Sequence, residues 1–250
     1  MILILGGTKD SRNLYEILKK ESIPFIFTTA TAYGKKLVGD KEDKVLSKRL
    51  TKEEMVSLIE KESISMVVDT THPYAAEVSL NAMAACRQSN IEYIRFERKE
   101  EELSKYESII TYVDDYESAA IEAKKINGNI LLTTGSKTLN IFVDKIDKGR
   151  LYPRVLPTSN MIKKCEDLGL KASQIIGMQG PFSTPMNEVM IDKYNIGGLV
   201  TKDSGKIGGL LEKLEAAHNK NIRVIFIKRP KIEYENLYDN MEHLIKKLVK

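Results

Sequence analysis

The chain has 250 residues, a formal net charge of +4 and a hydrophobic content of 42%, which suit a soluble globular protein with one large domain or two small ones. No apolar run approaches the roughly 18 to 20 residues that span a bilayer, and the chain opens without a charged leader. The aromatic residues are not interleaved with basic ones as in single-strand nucleic-acid binders. We therefore expect a cytoplasmic monomer or homodimer that binds neither membranes nor nucleic acids.

The cysteine and histidine residues give no sign of a metal site. Cys86 and Cys165 lie far apart, no C-x-x-C occurs, and the three histidines are not clustered. We expect reduced, buried thiols and no protein-bound metal.

The first predicted element is a buried strand over residues 1–5 that runs into Gly6 and Gly7. A helical pattern follows, behind the helix-capping residue types Thr8, Asp10 and Ser11. A strand, a glycine turn and a helix N-terminus present backbone N–H groups and a positive dipole end to a phosphate. The full G-x-G-x-x-G fingerprint is absent, since Ser11 stands where the third glycine would be. A plain strand-to-helix turn is the alternative.

The second predicted strand, residues 24–28, ends in the hydroxyl-rich run Thr28, Thr29 and Thr31. In dinucleotide-binding folds an acidic residue here favours NAD, because it accepts from the ribose hydroxyls. No acid follows this strand, and Lys35 and Lys36 come next. That composition favours NADP, whereas a surface turn with solvated lysines remains the alternative.

Another polar loop follows the predicted strand at residues 65–69. It runs over Thr70–Tyr74, and Pro73 suits the first position of the small-residue helix predicted for residues 75–86. Parallel α/β sheets place ligands at the carboxyl ends of their strands. His72 is therefore a candidate hydrogen-bond or proton donor to a ligand; alternatively it only caps the helix. A further strand is predicted at residues 91–96.

Composition changes between Lys99 and Asp115, and we place the domain boundary there, giving domains 1–112 and 113–250. The second half predicts strands at residues 129–133, 173–177, 198–201 and 222–227. Helical patterns lie at residues 118–126, 159–168, 186–194 and 208–217. This alternation predicts an α/β fold, with a mostly parallel sheet flanked by helices in each half.

Three loops of the second half are polar and contain glycine: residues 133–138, 177–183 and 201–205. Three such loops at one edge of a sheet more often line a site than form ordinary turns. Lys137, Arg154 and Lys202 bring positive charge to that edge, which predicts an anionic ligand.

Taken together, these loops resemble the precorrin-6A reductase and cobalt-precorrin-6A reductase family of cobalamin biosynthesis. The matching stretches occur in order over nearly the whole chain, and they are residues 6–11, 69–75, 133–137, 153–157, 177–183 and 201–205. The resemblance implies two Rossmann-like domains with a cleft between them. It also implies hydride transfer from NADPH or NADH to one ring double bond of precorrin-6A, or of its cobalt complex.

The loops supply the candidate site residues. For the cofactor these are Gly6, Gly7, Thr8, Ser11, Thr28, Thr29, Thr70 and Thr71. For the carboxylate-bearing tetrapyrrole they are Ser136, Lys137, Arg154, Gln179, Ser183, Lys202 and Ser204. The proton that accompanies the hydride is assigned to His72, Tyr74 or a bound water.

Two other functions fit parts of the pattern. A short-chain dehydrogenase or epimerase acting on a nucleotide sugar would use a Tyr-x-x-x-Lys pair, and Tyr15 with Lys19 has that spacing, although on the first helix. A non-catalytic nucleotide-sensing module would need only one polar loop cluster, whereas both halves of this chain carry one.

Overall fold

A computed structural model of the protein describes residues 1–30, 34–35, 38, 45–203, 205 and 208–249. Three residues named above, Thr31, Lys36 and Ser204, lie outside the described residues. The chain divides into two compact units. Unit 1 comprises Met1–Lys99 and Pro230–Lys250, and unit 2 comprises Glu100–Arg229.

Unit 1 is built on a six-stranded sheet in which every strand pair is parallel. Its strands are β1 (Ile2–Leu5), β2 (Phe25–Thr29), β3 (Val45–Ser47), β4 (Met66–Asp69), β5 (Glu92–Phe96) and β12 (Leu237–Tyr238), in the order β12-β5-β4-β1-β2-β3. Its described helices include α1 (Lys9–Lys20), α2 (Lys52–Lys61), α3 (Ala76–Ser89) and α9 (Met241–Leu248).

Unit 2 carries a second all-parallel sheet of six strands. The strands are β6 (Ile110–Val113), β7 (Asn129–Leu132), β8 (Leu151–Val155), β9 (Ile176–Gly177), β10 (Ile196–Lys202) and β11 (Arg223–Ile227), in the order β6-β11-β10-β7-β8-β9. The helices are α4 (Tyr116–Lys124), α5 (Leu139–Lys145), α6 (Ser159–Asp167), α7 (Thr184–Lys193) and α8 (Leu210–Asn219).

Strand β1 explains why the sequences of these strands are unbroken apolar runs. Ile2 and Ile4 belong to the apolar cluster that includes α1, whereas Leu3 and Leu5 belong to the cluster that includes α2 and α3. Successive side chains point to opposite faces of a strand, so a sheet covered by helices on both faces needs apolar residues at every position. Each such side chain contributes about 1.5–3 kcal/mol when it is fully buried.

Each sheet has one point where the direction of strand progression reverses. In unit 1, β1 leads to β2 on one side and β4 leads to β5 on the other, so the reversal lies between β1 and β4. In unit 2 it lies between β7 and β10, by the same reasoning. Ligands of open parallel sheets bind outside the carboxyl ends of the strands at such a switch point. The loops after β1, β4, β7 and β10 are among those that the sequence singled out, whereas residues 177–183 follow the edge strand β9.

The division of the chain differs from the predicted one in two places, since unit 2 begins at Glu100 rather than at residue 113 and ends at Arg229 rather than at residue 250. The second unit ends at Arg229, because residues 230–250 return to unit 1. Leu237 of β12 pairs with Arg95 of β5, and the buried side chain of Leu244 on α9 joins the cluster beneath α1. Pairing between segments this distant in sequence leaves no local signal, so composition alone did not reveal it.

Other elements also differ from the sequence prediction. The strand predicted at residues 173–177 is reduced to Ile176–Gly177, because residues 172–174 form a 3₁₀ turn in which the Gln174 amide nitrogen donates to the carbonyls of Lys148 and Leu151. Strands β3, β6, β8 and β12 and helices α5 and α9 were not predicted. Strand β8 contains Pro153, a residue that normally argues against a strand interior. No helix in the described part of the chain is long and apolar enough to cross a membrane.

Candidate functional site

The turn after β1 is held together by hydrogen bonds of Ser11 to the backbone of the turn. The Ser11 hydroxyl accepts from the N–H groups of Gly7 and Thr8 at 3.0 Å each, and the Thr8 hydroxyl accepts from the N–H of Ser11 at 3.1 Å. This reciprocal pair is a capping box. Two of the N–H groups that we expected to be open are therefore bonded inside the turn. The first-turn amides outside the box belong to Lys9 and Asp10, at the positive end of the helix dipole.

The two glycines of this turn serve different purposes. A Cβ on Gly6 would lie 2.3 Å from the Phe27 ring, so glycine is required there for β1 and β2 to pack. Gly7 has φ +140, and a Cβ on it would meet no atom within 4 Å. The space in front of Gly7 is open, which is the arrangement needed for a phosphate to approach the backbone closely.

The threonines of the predicted cofactor set line the same switch point. The Thr8 hydroxyl donates to the Thr70 carbonyl at 2.9 Å and so joins the loops after β1 and β4. Thr28 and Thr29, at the end of β2, are both buried, and the Thr28 hydroxyl donates to the Ile4 carbonyl at 3.3 Å. The Thr70 hydroxyl donates to the Leu5 carbonyl at 2.9 Å.

Beneath this loop lies a buried polar network that the sequence did not reveal. Asp69 is fully buried, and its Oδ1 accepts from the Thr71 N–H, the Thr71 hydroxyl and the Arg95 guanidinium. Its Oδ2 accepts from the Ser79 and Tyr93 hydroxyls at 2.6 and 2.8 Å. The carboxylate thereby holds the loop, helix α3 and strand β5 together, and burial together with the Asp69 charge raises the pKa of Tyr93.

Arg95 completes the network. It is fully buried, donates through Nε and Nη2 to one carboxylate oxygen of Glu97, and lies 5.2 Å from the ring centroid of Tyr234. The positive charge of Arg95 is thus matched by two carboxylates, those of Asp69 and Glu97. Both donor groups of Thr71 are used inside this network, so Thr71 anchors the loop from below.

His72 and Tyr74 lie together in the loop after β4. Their ring centroids are 5.4 Å apart, the Tyr74 N–H donates to His72 Nδ1 at 3.3 Å, and the Ala75 N–H donates to the His72 carbonyl at 2.8 Å. A ring nitrogen that accepts carries no hydrogen, so the neutral His72 ring holds its proton on Nε2.

The loop after β7 lies at the switch point of unit 2 and carries Thr134 and Thr138. Their hydroxyl oxygens are buried without a hydrogen-bond partner, which is rare for buried polar atoms. Ser136 in the same loop is buried and its hydroxyl is turned to the Met161 sulfur, whereas Lys137 is exposed.

Arg154, on β8, is held from several sides. Its side chain is buried, Nη1 donates to the Asn187 amide oxygen at 2.7 Å, and the guanidinium lies 4.1 Å from the Phe182 ring centroid. These partners are neutral, and burial lowers the pKa of Arg154 to about 10. The guanidinium remains charged at neutral pH and is rigidly oriented.

Two further lysines of unit 2, Lys202 and Lys213, are removed from full exposure. Burial and the nearby Lys137 charge lower the pKa of Lys202 to about 8. Lys213, on α8, is buried, and its Nζ donates to the Thr201 hydroxyl at 3.2 Å. Sequence reasoning missed Lys213, because a lysine in an amphipathic helix pattern normally lies on the solvated face.

The remaining predicted substrate residues lie at the surface. Gln179 and Ser183 follow β9 and are exposed, and Ser183 also caps α7 by accepting from the Met186 N–H at 3.4 Å. Ser204 lies outside the described residues. Over those same residues no group of three or more His, Cys, Asp or Glu side chains is arranged to hold a metal ion.

Comparison with known proteins identifies the family. The family profile described as "Precorrin-6x reductase CbiJ/CobK" matches residues 1–249. This chain belongs to the precorrin-6x reductase family. A cobalt-precorrin-6A reductase from Methanocaldococcus jannaschii is 41% identical over 98% of this chain and 96% of its own length. One from Priestia megaterium is 39% identical over 100% of this chain and 98% of its own.

The fold of the reductase family is also recognisable in a solved structure. A precorrin-6A reductase, CobK, has a TM-score of 0.81 to this chain with 22% identity, and the match covers 99% of this chain and 95% of that protein. The predicted α/β class with two parallel sheets is confirmed. The roles of the individual site residues remain predictions.

Proposed function

We propose that this precorrin-6x reductase family member reduces one ring double bond of precorrin-6A, in its metal-free or cobalt-bound form, with a nicotinamide cofactor. The observation that carries the proposal is the contrast between its two switch points. The first carries an open glycine and a helix N-terminus, whereas the second carries Lys137 and Lys202 in or beside its loops, with the buried Arg154 on the neighbouring strand β8. Neutral donors suit a dinucleotide, and fixed cations suit a tetrapyrrole with several carboxylate arms.

The residues of unit 1 fit a dinucleotide. The open space before Gly7 admits a pyrophosphate, and the amides of Lys9 and Asp10 lie at the adjoining helix N-terminus. Strand β2 ends in Thr28 and Thr29 rather than in an acid, which favours NADPH over NADH. When bound, the nicotinamide supplies the hydride, and the chain supplies binding, orientation and exclusion of water.

The residues of unit 2 fit the carboxylates. Arg154 presents a guanidinium fixed by Asn187 and Phe182, and Lys202, at the end of β10, adds a partly buried amine. The exposed Lys137 belongs to the same charged set, since its charge contributes to the lowered pKa of Lys202. Charge-assisted contacts of this kind are about twice as strong as neutral ones.

Reduction of the double bond needs a proton as well as a hydride. His72 holds its proton on Nε2, and Tyr74 lies beside it. Either group, or a water held by them, would deliver the proton to the carbon adjacent to the one that accepts hydride. We favour the water, with His72 and Tyr74 in an orienting role.

Helix α1 argues against a short-chain dehydrogenase or epimerase. Tyr15 is 1% exposed and packs edge-on against Phe25 and Phe27 at ring-centroid distances of 5.2 and 5.3 Å. Its neighbour Lys19 lies over the same ring. A tyrosine buried in the core cannot protonate a substrate, so this Tyr-x-x-x-Lys pair has no catalytic access.

The test is a matrix of two substrates against two nicotinamides. Precorrin-6A and its cobalt complex are each incubated with the purified protein and with NADPH or NADH, under anaerobic conditions, while the absorbance of the reduced nicotinamide is followed. We expect oxidation only when the tetrapyrrole is present, and faster oxidation of NADPH. No oxidation in any of the four combinations would overturn the proposed reaction.

A further inference from the structure

Asn187, on α7, is a buried polar residue to which the proposed chemistry gives no role of its own. Its side chain is 2% exposed, so a ligand at the surface of unit 2 does not reach it. The amide oxygen accepts from Arg154 Nη1 at 2.7 Å. Any effect of Asn187 on a ligand is therefore exerted through Arg154.

The orientation of the Asn187 amide is fixed by three hydrogen bonds. Its Nδ2 donates to the carbonyls of Ser183 and Phe182 at 2.9 and 3.4 Å, at the end of the loop between β9 and α7. An amide nitrogen only donates and an amide oxygen only accepts, so a single orientation satisfies all three bonds. The amide thus joins this loop to the guanidinium and directs its oxygen at Nη1.

The partners that Arg154 has in the described part of the chain are uncharged. Besides the Asn187 oxygen, Nη1 lies 3.6 Å from the Met190 sulfur, and the guanidinium lies 4.1 Å from the Phe182 ring centroid. A buried cation normally pairs with a carboxylate, because burial without one is costly. The surroundings of Arg154 orient its charge and do not neutralise it.

Unit 1 shows the alternative arrangement. There the buried Arg95 guanidinium donates to the Asp69 carboxylate at 2.9 Å, and this ion pair neutralises it. Asparagine and aspartate have nearly the same shape, so an aspartate at position 187 would also accept from Arg154 Nη1. It would form a buried ion pair, with which a ligand carboxylate would have to compete.

We infer that Asn187 is a positioning residue that holds Arg154 for the carboxylates of the tetrapyrrole, and that its neutral amide makes unit 2 selective for an anionic ligand. This inference rests on the proposed function, in which Arg154 binds a substrate carboxylate. It adds that the absence of charge on the residue at position 187 determines the affinity.

A pair of variants at position 187 separates this role from a merely structural one. Asn187→Asp and Asn187→Ala both remove the two bonds donated by Nδ2, but only Asn187→Asp keeps an acceptor beside Arg154. The Kd is measured by calorimetric titration of cobalt-precorrin-6A into protein saturated with oxidised nicotinamide, which cannot deliver hydride.

We expect Asn187→Asp to raise this Kd about ten- to a hundredfold, because the introduced carboxylate takes the place of the ligand carboxylate. Asn187→Ala should raise it less, since the positive charge stays available. A residue that only supported the fold would give the reverse order, because Asn187→Ala loses one more bond. Equal affinities, or weaker binding by Asn187→Ala, would overturn the inference.

A second pair of variants leaves Asn187 in place and decides the question if circular dichroism shows that Asn187→Asp does not fold. Met190→Glu and Met190→Gln introduce side chains of the same shape beside Arg154 Nη1, and only the first is charged. We expect Met190→Glu to bind the tetrapyrrole at least about tenfold more weakly than Met190→Gln. The same Kd in both would overturn the inference.

The matched control is Asn219→Asp, which makes the same chemical change at the exposed C-terminal end of α8. It should bind the tetrapyrrole like the wild type, and a loss as large as that of Asn187→Asp would overturn the assignment to Arg154. A wild-type protein that neither binds nor reduces the tetrapyrrole would refute the proposed function itself. Wild-type binding and reduction with the reverse order of the two Asn187 variants would refute only the inference.

Discussion

The two switch points of this protein share a topology and differ in how they handle charge. In unit 1 the buried Arg95 is matched by Asp69 and Glu97, and the open position at the edge of the sheet is Gly7. In unit 2 the buried Arg154 is surrounded by an amide, a sulfur and an aromatic ring. The buried cation of unit 1 is thus neutralised within the protein, whereas the buried cation of unit 2 has neutral neighbours and can pair with an anionic ligand.

The difference indicates that the fold determines where a ligand would bind, whereas the side chains determine the chemical class of that ligand. Both sheets direct their loops to the carboxyl ends of the strands, as the reversal of strand order requires. Side chains just below those loops then decide the chemistry, because burial makes each unmatched charge costly until a ligand neutralises it. The predictions below alter one side of this contrast at a time.

The largest effect is expected from Asp69→Ala in unit 1. The substitution leaves the buried Arg95 without its fully buried carboxylate partner, and breaking a buried pair in this way costs about 3–5 kcal/mol of unfolding free energy. Denaturant unfolding measures the loss. The control Asp167→Ala removes the partner of Lys163 on the exposed surface of α6 and should cost less than about 1 kcal/mol. Equal losses would show that the buried network does not organise the loop.

Lys202→Met tests the cationic switch point. We expect the KM for the tetrapyrrole to rise, with a loss of about 1.5–3 kcal/mol in kcat/KM, because a charge-assisted contact is removed. The Kd for NADPH, measured by calorimetry, should stay unchanged. A variant with wild-type kinetics for the tetrapyrrole would mean that the carboxylates bind elsewhere.

A matched pair of glycines compares the two units directly. Gly7 and Gly135 both have positive φ and open space where a Cβ would be, so alanine at either position carries a similar backbone strain. We expect Gly7→Ala to weaken NADPH binding about tenfold, or about 1.4 kcal/mol, because the methyl group holds the pyrophosphate away. Gly135→Ala should leave that Kd unchanged. Weakening by both variants would show that strain alone is responsible.

Lys213→Met should stabilise the protein at neutral pH by about 1 kcal/mol, because an apolar side chain replaces a buried cation. The lowered pKa of Lys213 means that the unfolded chain binds more protons than the folded one between about pH 7 and pH 10. Wild-type stability should therefore rise with pH across this range, and the rise should be shallower in the variant. Thermal unfolding at several pH values measures both. Identical pH dependence in the two proteins would contradict the burial of a titrating amine.

The smallest effect is expected from His72→Ala. If His72 orients a water, kcat should fall by about tenfold or less, and the basic limb of the pH–rate profile should survive. General acid catalysis by His72 would instead lower kcat by about 10²–10⁴-fold and remove that limb. A thousandfold loss with intact NADPH binding would assign the proton to His72 Nε2.

The sequence by itself determined the α/β class and the position of the polar loops. Short apolar runs such as residues 1–5, bounded by glycine, are typical of strands buried on both faces. Pro73 and the threonines around it likewise indicated a loop with a ligand-facing role. These signals are local, and local sequence is sufficient to encode them.

Only the tertiary structure decided which side chains cooperate. The partners Asp69, Tyr93 and Arg95 are brought together because β4 and β5 are neighbours, and Lys213 meets Thr201 only in the folded unit, where its Nζ donates to that hydroxyl. The return of residues 230–250 to unit 1 is also a tertiary event. This packing buries Lys213 and Arg95, which belong to residue types that normally lie at the surface. Burial lowers the pKa of Lys213 and places Arg95 at the centre of a hydrogen-bond network.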